Sequence, residues 1–283
     1  MVLNMKNCKR LIRNFSLGWV LLLTVIMLIV MLPLVFMVSM SFRTPDNIFV
    51  QTLFVDEMTI RNYVNVVIQN PTLPMNFLSS FIVASGSVLL VTIFASMAVF
   101  GLSRKNVHGK NLIYNLLLCT LMVPISALII PLTQINARLD WLNTYQGLIL
   151  PYTALGIPFA MVILKGFMDE FPIDLEEAAS IDGCGVIRLF TQIVLPLLRP
   201  GIIVIVVWQF MTSWNEFFLA LTTMNRRETM TLPLIAMQYQ GVFFAQPGAL
   251  FATLVMITIP MIVFYICVQR YFISGLISGA IKG

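Results

Sequence analysis

"EEAASIDG", residues Glu176 to Gly183, is the most polar stretch in a chain that is otherwise built largely of apolar side chains. Of the 283 residues, 59% are hydrophobic and 10% charged, and the mean hydropathy is +0.93. A soluble domain carries about 25% charged residues. The composition therefore describes an all-α polytopic membrane protein, with the bilayer as its main solvent. What the polar stretch does depends on which side of the membrane holds it.

Six apolar runs flank it, near 16–40, 76–103, 112–134, 145–167, 201–223 and 249–269. Each is long enough to cross about 30 Å of hydrocarbon as a helix. The first follows Lys6, Lys9, Arg10 and Arg13, as in a signal peptide. It exceeds the roughly 7–15 apolar residues of such a segment and reads as an uncleaved span. Lysines and arginines divide twelve to five between the two sides, and the positive-inside rule places both termini in the cytoplasm. "EEAASIDG" then lies in the longest cytoplasmic loop, between the fourth and fifth spans. That loop also carries six acids, Asp169, Glu170, Asp174, Glu176, Glu177 and Asp182.

Locally, Pro172 opens a helix, acids occupy its positive first turn, and Gly183 and Gly185 end it, giving about ten residues. Leu175, Ala178, Ala179 and Asp182 fall on one face by i, i+3, i+4, i+7 spacing, and small alanines permit close approach of another surface. The helix either merely connects two spans or docks into a cytoplasmic partner.

The spacing bears on that choice. Glu177-Ala178-Ala179, three residues, Gly183, nine residues, then Ile193-Val194-Leu195-Pro196 resembles the EAA loop of ABC importer permeases. Outside the loop, "LPLVFMVSMSFRT", "FGLSRKNVHGKN", "MVPISALIIPL", "WNEFFLAL" and the terminal "QRYFISGLISGAIKG" resemble the MalG-like carbohydrate permeases. The resemblance implies a type I importer (MetI-like) fold with six transmembrane helices. It divides the chain into a cytoplasmic segment 1–15, a first helix and outer loop 16–75, a permease domain 76–274 with its coupling loop 168–200, and a tail 275–283. It further implies a MalF-like second permease, a dimer of ABC ATPase subunits that holds ATP and Mg, an extracytoplasmic sugar-binding protein, and a bacterial or archaeal plasma membrane. Glu177, Ala178, Ala179, Asp182, Gly183, Ile193, Leu195 and Pro196 are the coupling residues on this reading. Cargo of the glycerol-phosphate or polyol type is the nearest rival to an oligosaccharide.

Other chemistries find no foothold. There is no G-x-x-x-x-G-K-[ST] to cradle phosphates, because "HGKN" at 108–111 lacks its first glycine and its Ser/Thr. His108 is the sole histidine, and Cys8, Cys119, Cys184 and Cys267 are scattered singly, so neither a metal site nor a catalytic set is expected. The net charge of +5 reflects loops on one side of the membrane rather than a nucleic-acid partner.

Two polar groupings stand out. Gln209, Thr212, Ser213 and Glu216 repeat at i, i+3, i+4, i+7 along the fifth span, with Trp208 and Asn215 beside them. Such a stripe faces protein or water rather than lipid. It lines a translocation path, or Glu216 is a hydrogen-bonded acid that fixes packing, or, on a stand-alone carrier, a proton or cation site. In the outer loop 224–248, Gln238, Tyr239 and Gln240 are neutral groups suited to sugar hydroxyls, the resemblance implies that they face the docked binding protein, and the plain alternative is a solvated loop. Pro124 and Pro131 in the third span, and Pro151 with Gly156 and Pro158 in the fourth, can kink or break helices.

Overall fold

The computed structural model describes residues 5–48, 57–104, 107–240 and 246–280, with side chains over 18–48, 57–103, 107–179, 181–240 and 246–269. The side chains of Lys6, Lys9, Arg10, Arg13, Arg104 and Arg270, with Lys105 and residues 281–283 of the tail, lie outside those ranges. In chain order the helices are α1 (Met5–Ser41), α2 (Arg61–Gln69), α3 (Leu73–Arg104), α4 (Lys110–Thr120), α5 (Ile125–Arg138), α6 (Gln146–Asp169) and α7 (Asp174–Ile181). They continue with α8 (Val186–Leu189), a π turn (Phe190–Val194), α9 (Leu195–Leu197), α10 (Arg199–Asn215), α11 (Phe218–Thr223), α12 (Leu232–Ala236) and α13 (Pro247–Ala280). The described residues contain no strand, only an isolated antiparallel bridge between Arg43 and Met58.

Two compact units divide the chain. The first comprises Met1–Gln69 with Tyr239–Met256. Its apolar helix α1 exposes nearly every large side chain from Trp19 to Leu32, as a lipid-facing helix must. The last carbonyls of α1 would be orphans without a cap. Asn62 of α2 supplies one: its Nδ2 donates to the carbonyls of Ser41 (2.9 Å) and Arg43 (2.8 Å).

Asn70–Gln238 and Ile257–Gly283 form the second unit. Here α3, α6 and α10 pack together around two clusters. One joins Val91, Ala95 and Val99 of α3 to Ala160, Met161 and Leu164 of α6, and to Val194, Leu198 and Ile205. The other gathers Val83, Leu148, Tyr152, Leu219, Ala220, Met224 and Leu234. Lipid offers apolar side chains the same environment as a protein core, so these helices associate through close contact and buried hydrogen bonds. Small residues provide both. Ser87 Oγ meets Ser213 Oγ at 2.8 Å, and a Cβ on Gly201 would lie 2.6 Å from the Phe167 ring.

Among the described residues, four helices are long and apolar enough to cross a membrane without interruption, and two further helix pairs qualify only if each bent pair is counted as one span. The expected third span, 112–134, is one of these: α4 and α5 meet at 99°. Pro124 stands at the start of α5 with extended backbone (φ −65°, ψ 134°), and its ring disfavours helical geometry at Val123. The expected fifth span, 201–223, is likewise not one helix. The chain turns by 74° between residues 197 and 199, close to Pro196 and Pro200, and breaks again after Asn215, where Glu216 is extended (φ −67°, ψ 128°). Pro131, Pro151 and Pro158, by contrast, lie inside continuous helices.

Candidate functional site

The loop that opened the sequence reading folds as a short helix with a built terminus. Ile173 O receives the N–H groups of Glu176 (2.8 Å) and Glu177 (3.1 Å), which starts α7 with Asp174, Glu176 and Glu177 in its first turn. The helix has eight residues rather than about ten. It stops at Gly183, whose φ of +78° is left-handed, while the N–H of Cys184 reaches back to Ala179 O at 2.9 Å. That six-to-one bond across a left-handed glycine is a Schellman closure. Gly185 has no such role: at φ −68° it begins α8.

The expected common face of Leu175, Ala178, Ala179 and Asp182 divides. Glu177, Ala178, Asp182 and Gly183 are exposed, as is Leu175. Ala179 and Cys184 turn inward and pack on the cluster of α3 and α6, together with Ile193. Leu195 is half-buried and Pro196 exposed. One side of the loop therefore anchors it while the other is open. The open side carries two residues that motif reading passed over, Ile181 (86% exposed) and Ile187 (81% exposed). Their signal was available, since isoleucines in a polar loop need a reason.

A second site lies where α10 ends. A cavity of about 230 Å³ is bounded by Thr120, Leu121, Val123 and Ile125 at the α4–α5 break, Tyr152, Leu155 and Gly156 of α6, and Trp208, Gln209, Thr212, Ser213 and Glu216. Trp208 stacks on Phe159 with ring centroids 3.9 Å apart. Gln209 and Ser213 are buried. The Gln209 amide donates to Tyr152 O (3.2 Å) and Ser213 Oγ (3.1 Å) and fits against Gly156, where a Cβ would stand 2.8 Å from its Cδ. Thr212 and Asn215 are exposed and bond to helix carbonyls one turn back. Asn215 does not line the cavity.

Glu216 is not the fourth rung of a helical stripe, because it lies in the break beyond α10. Its Oε1 accepts the N–H of Leu219 (2.8 Å), and its Oε2 accepts the N–H of Ala220 (3.1 Å) and the Tyr152 hydroxyl (2.5 Å). The carboxylate thus caps the first turn of α11 and ties that turn to α6. Tyr152 escaped the sequence reading, although a tyrosine in a span needs a partner for its hydroxyl.

In the loop 224–248, Gln238 and Gln240 are exposed but Tyr239 is 4% exposed, so the three do not form one surface. Residues 241–245 of that loop lie outside the described ranges.

Comparison with known proteins places this geometry. Residues 92–278 match the family model described as binding-protein-dependent transport system inner membrane component. The chain is 34% identical over 259 residues to a protein of Thermococcus litoralis named trehalose/maltose transport system permease protein MalG, covering 90% of this chain and 93% of the relative. It is 33% identical over 253 residues to the sulfoquinovosyl glycerol transport system permease protein SmoH of Agrobacterium fabrum, covering 89% and 88%. A crystal structure of a bacterial ABC transporter involved in alginate import contains a chain of the same fold, with TM-score 0.79 at 19% identity over 92% of this chain and 97% of that one. On the breadth of those matches, the chain belongs to the family of inner-membrane components of binding-protein-dependent transport systems, whose members are permease subunits and not enzymes.

Proposed function

We propose that the chain couples ATP hydrolysis on separate subunits to the import of a carbohydrate by alternating access. Glu177, Ala178, Asp182 and Gly183 form the surface that an ATPase receives, Ala179 and Ile193 hold it on the membrane core, and half-buried Leu195 and exposed Pro196 lead from it into α10. The observation that carries this reading is the two-sidedness of α7: its signature acid and one alanine are open, while the adjacent alanine packs on the buried cluster to which α3, α6 and α8 contribute. A mere connector has no need of a rigid, glycine-closed helix with one side left free. ATP and Mg belong to the ATPase dimer, the second permease is MalF-like, and a binding protein delivers cargo from outside a bacterial or archaeal plasma membrane with both termini of this chain inside.

The names of the relatives support a carbohydrate cargo. The cavity supports a neutral one, since the charged side chain in its lining is the acid Glu216. That charge disfavours glycerol-phosphate, whereas a polyol satisfies the same lining. Gln209, Thr212, Ser213, Asn215 and Glu216 flank the translocation path on this reading.

Ala178→Trp tests the docking surface without touching the core. In the reconstituted complex it should leave assembly intact and lower binding-protein-stimulated ATPase activity and uptake on the order of tenfold or more, as bulk at the centre of an interface does. Stimulated activity equal to the parent's would overturn the proposal.

A further inference from the structure

We infer that the cavity at the end of α10 is a subsite, on this chain itself, for one pyranose ring of the cargo. The inference rests on reading that cavity as part of the translocation path, and it adds the class of ligand and the groups that hold it.

Polar groups in the cavity wall have spent their hydrogens inside the protein. The hydroxyls of Thr120 and Thr212 donate to the carbonyls of Leu117 (2.6 Å) and Trp208 (3.0 Å). Tyr152 donates its own to Glu216, and the Gln209 amide donates to Tyr152 O and Ser213 Oγ. What these groups keep for a ligand is lone pairs. The Glu216 carboxylate accepts from Tyr152, Leu219 and Ala220, which leaves room for one more donor among its roughly four acceptor positions. Gln209 is 3% exposed, and among the described residues its Oε1 meets no donor. That oxygen lies against Gly156, also part of the wall, where any Cβ would overlap it. A buried acceptor left empty calls for a donor from elsewhere. A wall of acceptors suits hydroxyls. It rejects phosphate and carboxylate, which bring further lone pairs and a charge like that of Glu216.

Both a sugar and an open-chain polyol carry hydroxyls, and Trp208 separates them. Its indole lines the cavity and is held by stacking on Phe159 at an interplanar angle of 25°. A pyranose presents a flat patch of C–H groups, whose slight positive charge matches the negative face of an aromatic ring. An open-chain polyol has no fixed face and loses torsional freedom when it is held. An ammonium group also suits an aromatic ring beside an acid. Here, however, the acid already receives three donors, so its charge is met within the protein. The volume of about 230 Å³ lies below the roughly 300 Å³ at which sites for larger ligands begin, so one ring fits rather than a chain of them.

The test uses the purified importer complex in nanodiscs, with Thr212→Cys in a chain whose native cysteines have been replaced. A hydrophilic thiol reagent labels that position, and the rate is read by mass spectrometry of this chain. The ring probes are methyl α-D-glucopyranoside, maltose and trehalose, and the rivals are sorbitol and choline. At about ten times its half-protecting concentration, a ring probe should slow labelling roughly tenfold, whereas sorbitol and choline should leave it unchanged. Trp208→Leu should remove the protection and Trp208→Phe retain it. Thr191→Cys, exposed and outside the cavity, should label equally with and without sugar. Labelling at 212 that ignores all three ring probes would overturn the subsite. Equal protection by sorbitol would overturn the pyranose assignment, and protection by choline would replace it with a cation. A cysteine at 212 inert in every nucleotide state would sink the path reading itself. None of these failures touches the ATPase-docking test at Ala178, so the readings fall separately.

Discussion

Replacing Glu216 by alanine is expected to destabilise the protein before it reveals anything about transport. Three donors converge on the carboxylate, from Tyr152, Leu219 and Ala220, and all three residues are buried, the latter two completely. Removing the acceptor leaves each donor unsatisfied, at about 1–3 kcal/mol apiece. The adjoining cavity admits water to part of the site, so the lower figure applies and the total is about 3 kcal/mol. Glu216→Gln keeps one acceptor oxygen but turns an NH₂ group toward a donor, and roughly half that loss is expected. Tyr152→Phe removes a single donor and leaves both backbone bonds to the carboxylate, for about 1 kcal/mol. The assay is the thermal midpoint of the purified complex, measured beside uptake in proteoliposomes, and the expected order is Ala below Gln below Phe. An alanine variant as stable as the parent but inactive in uptake would refute the cap and make Glu216 a residue of the path.

The turn after α7 gives a sharper contrast. Both Gly183 and Gly185 have open space where a Cβ would go, so only backbone conformation separates them. Gly183→Ala, at φ +78°, should cost about 1–2 kcal/mol and weaken coupling, while Gly185→Ala, at φ −68°, should be neutral; equal tolerance in a stimulated-ATPase assay would disprove the closure argument. Single cysteines offer a map of the fifth span, once the exposed Cys119 and Cys267 have been replaced. Hydrophilic thiol reagents should modify cysteine at 212 and 215 readily and at 209 and 213 on the order of tenfold more slowly, following exposure. Uniform reactivity across all four positions would show that the stripe faces one continuous aqueous surface.

Membrane class, the positions of the apolar segments and the short glycine-ended helix at 174–181 were legible in the sequence, because hydropathy and local helix signals carry them directly. Continuity of those segments was not. Pro124 signalled the α4–α5 break, yet Pro131, Pro151 and Pro158 carry the same local signal inside unbroken helices. What separates them is whether packing holds the flanking turns together, and single-residue reasoning does not contain that. The break after Asn215 has neither proline nor glycine, only an acid whose side chain can replace the main-chain partners lost there. Likewise the pairing of Ala178 with Ala179 on one face followed from ideal spacing, whereas burial divides two neighbours lying about 100° apart on a helix. Gly156 read as a kink-former. Its role is to make room for Gln209.

The π turn at Phe190–Val194 is an α-helix carrying one surplus residue, with the N–H of Leu195 bonded to Phe190 O. Leu189, Val194 and Leu198 all join the same core cluster, although Leu189 and Val194 are five positions apart. On an uninterrupted α-helix that step would rotate Val194 about 140° from Leu189 and carry it off the core. The wide turn cancels the excess, so that five residues advance the helix as four would. The nine residues between Gly183 and Ile193 thus encode a phase as well as a length. Any indel in that interval must restore the angle at which Val194 meets the core, and a chain that kept only the distance would aim α7 in the wrong direction.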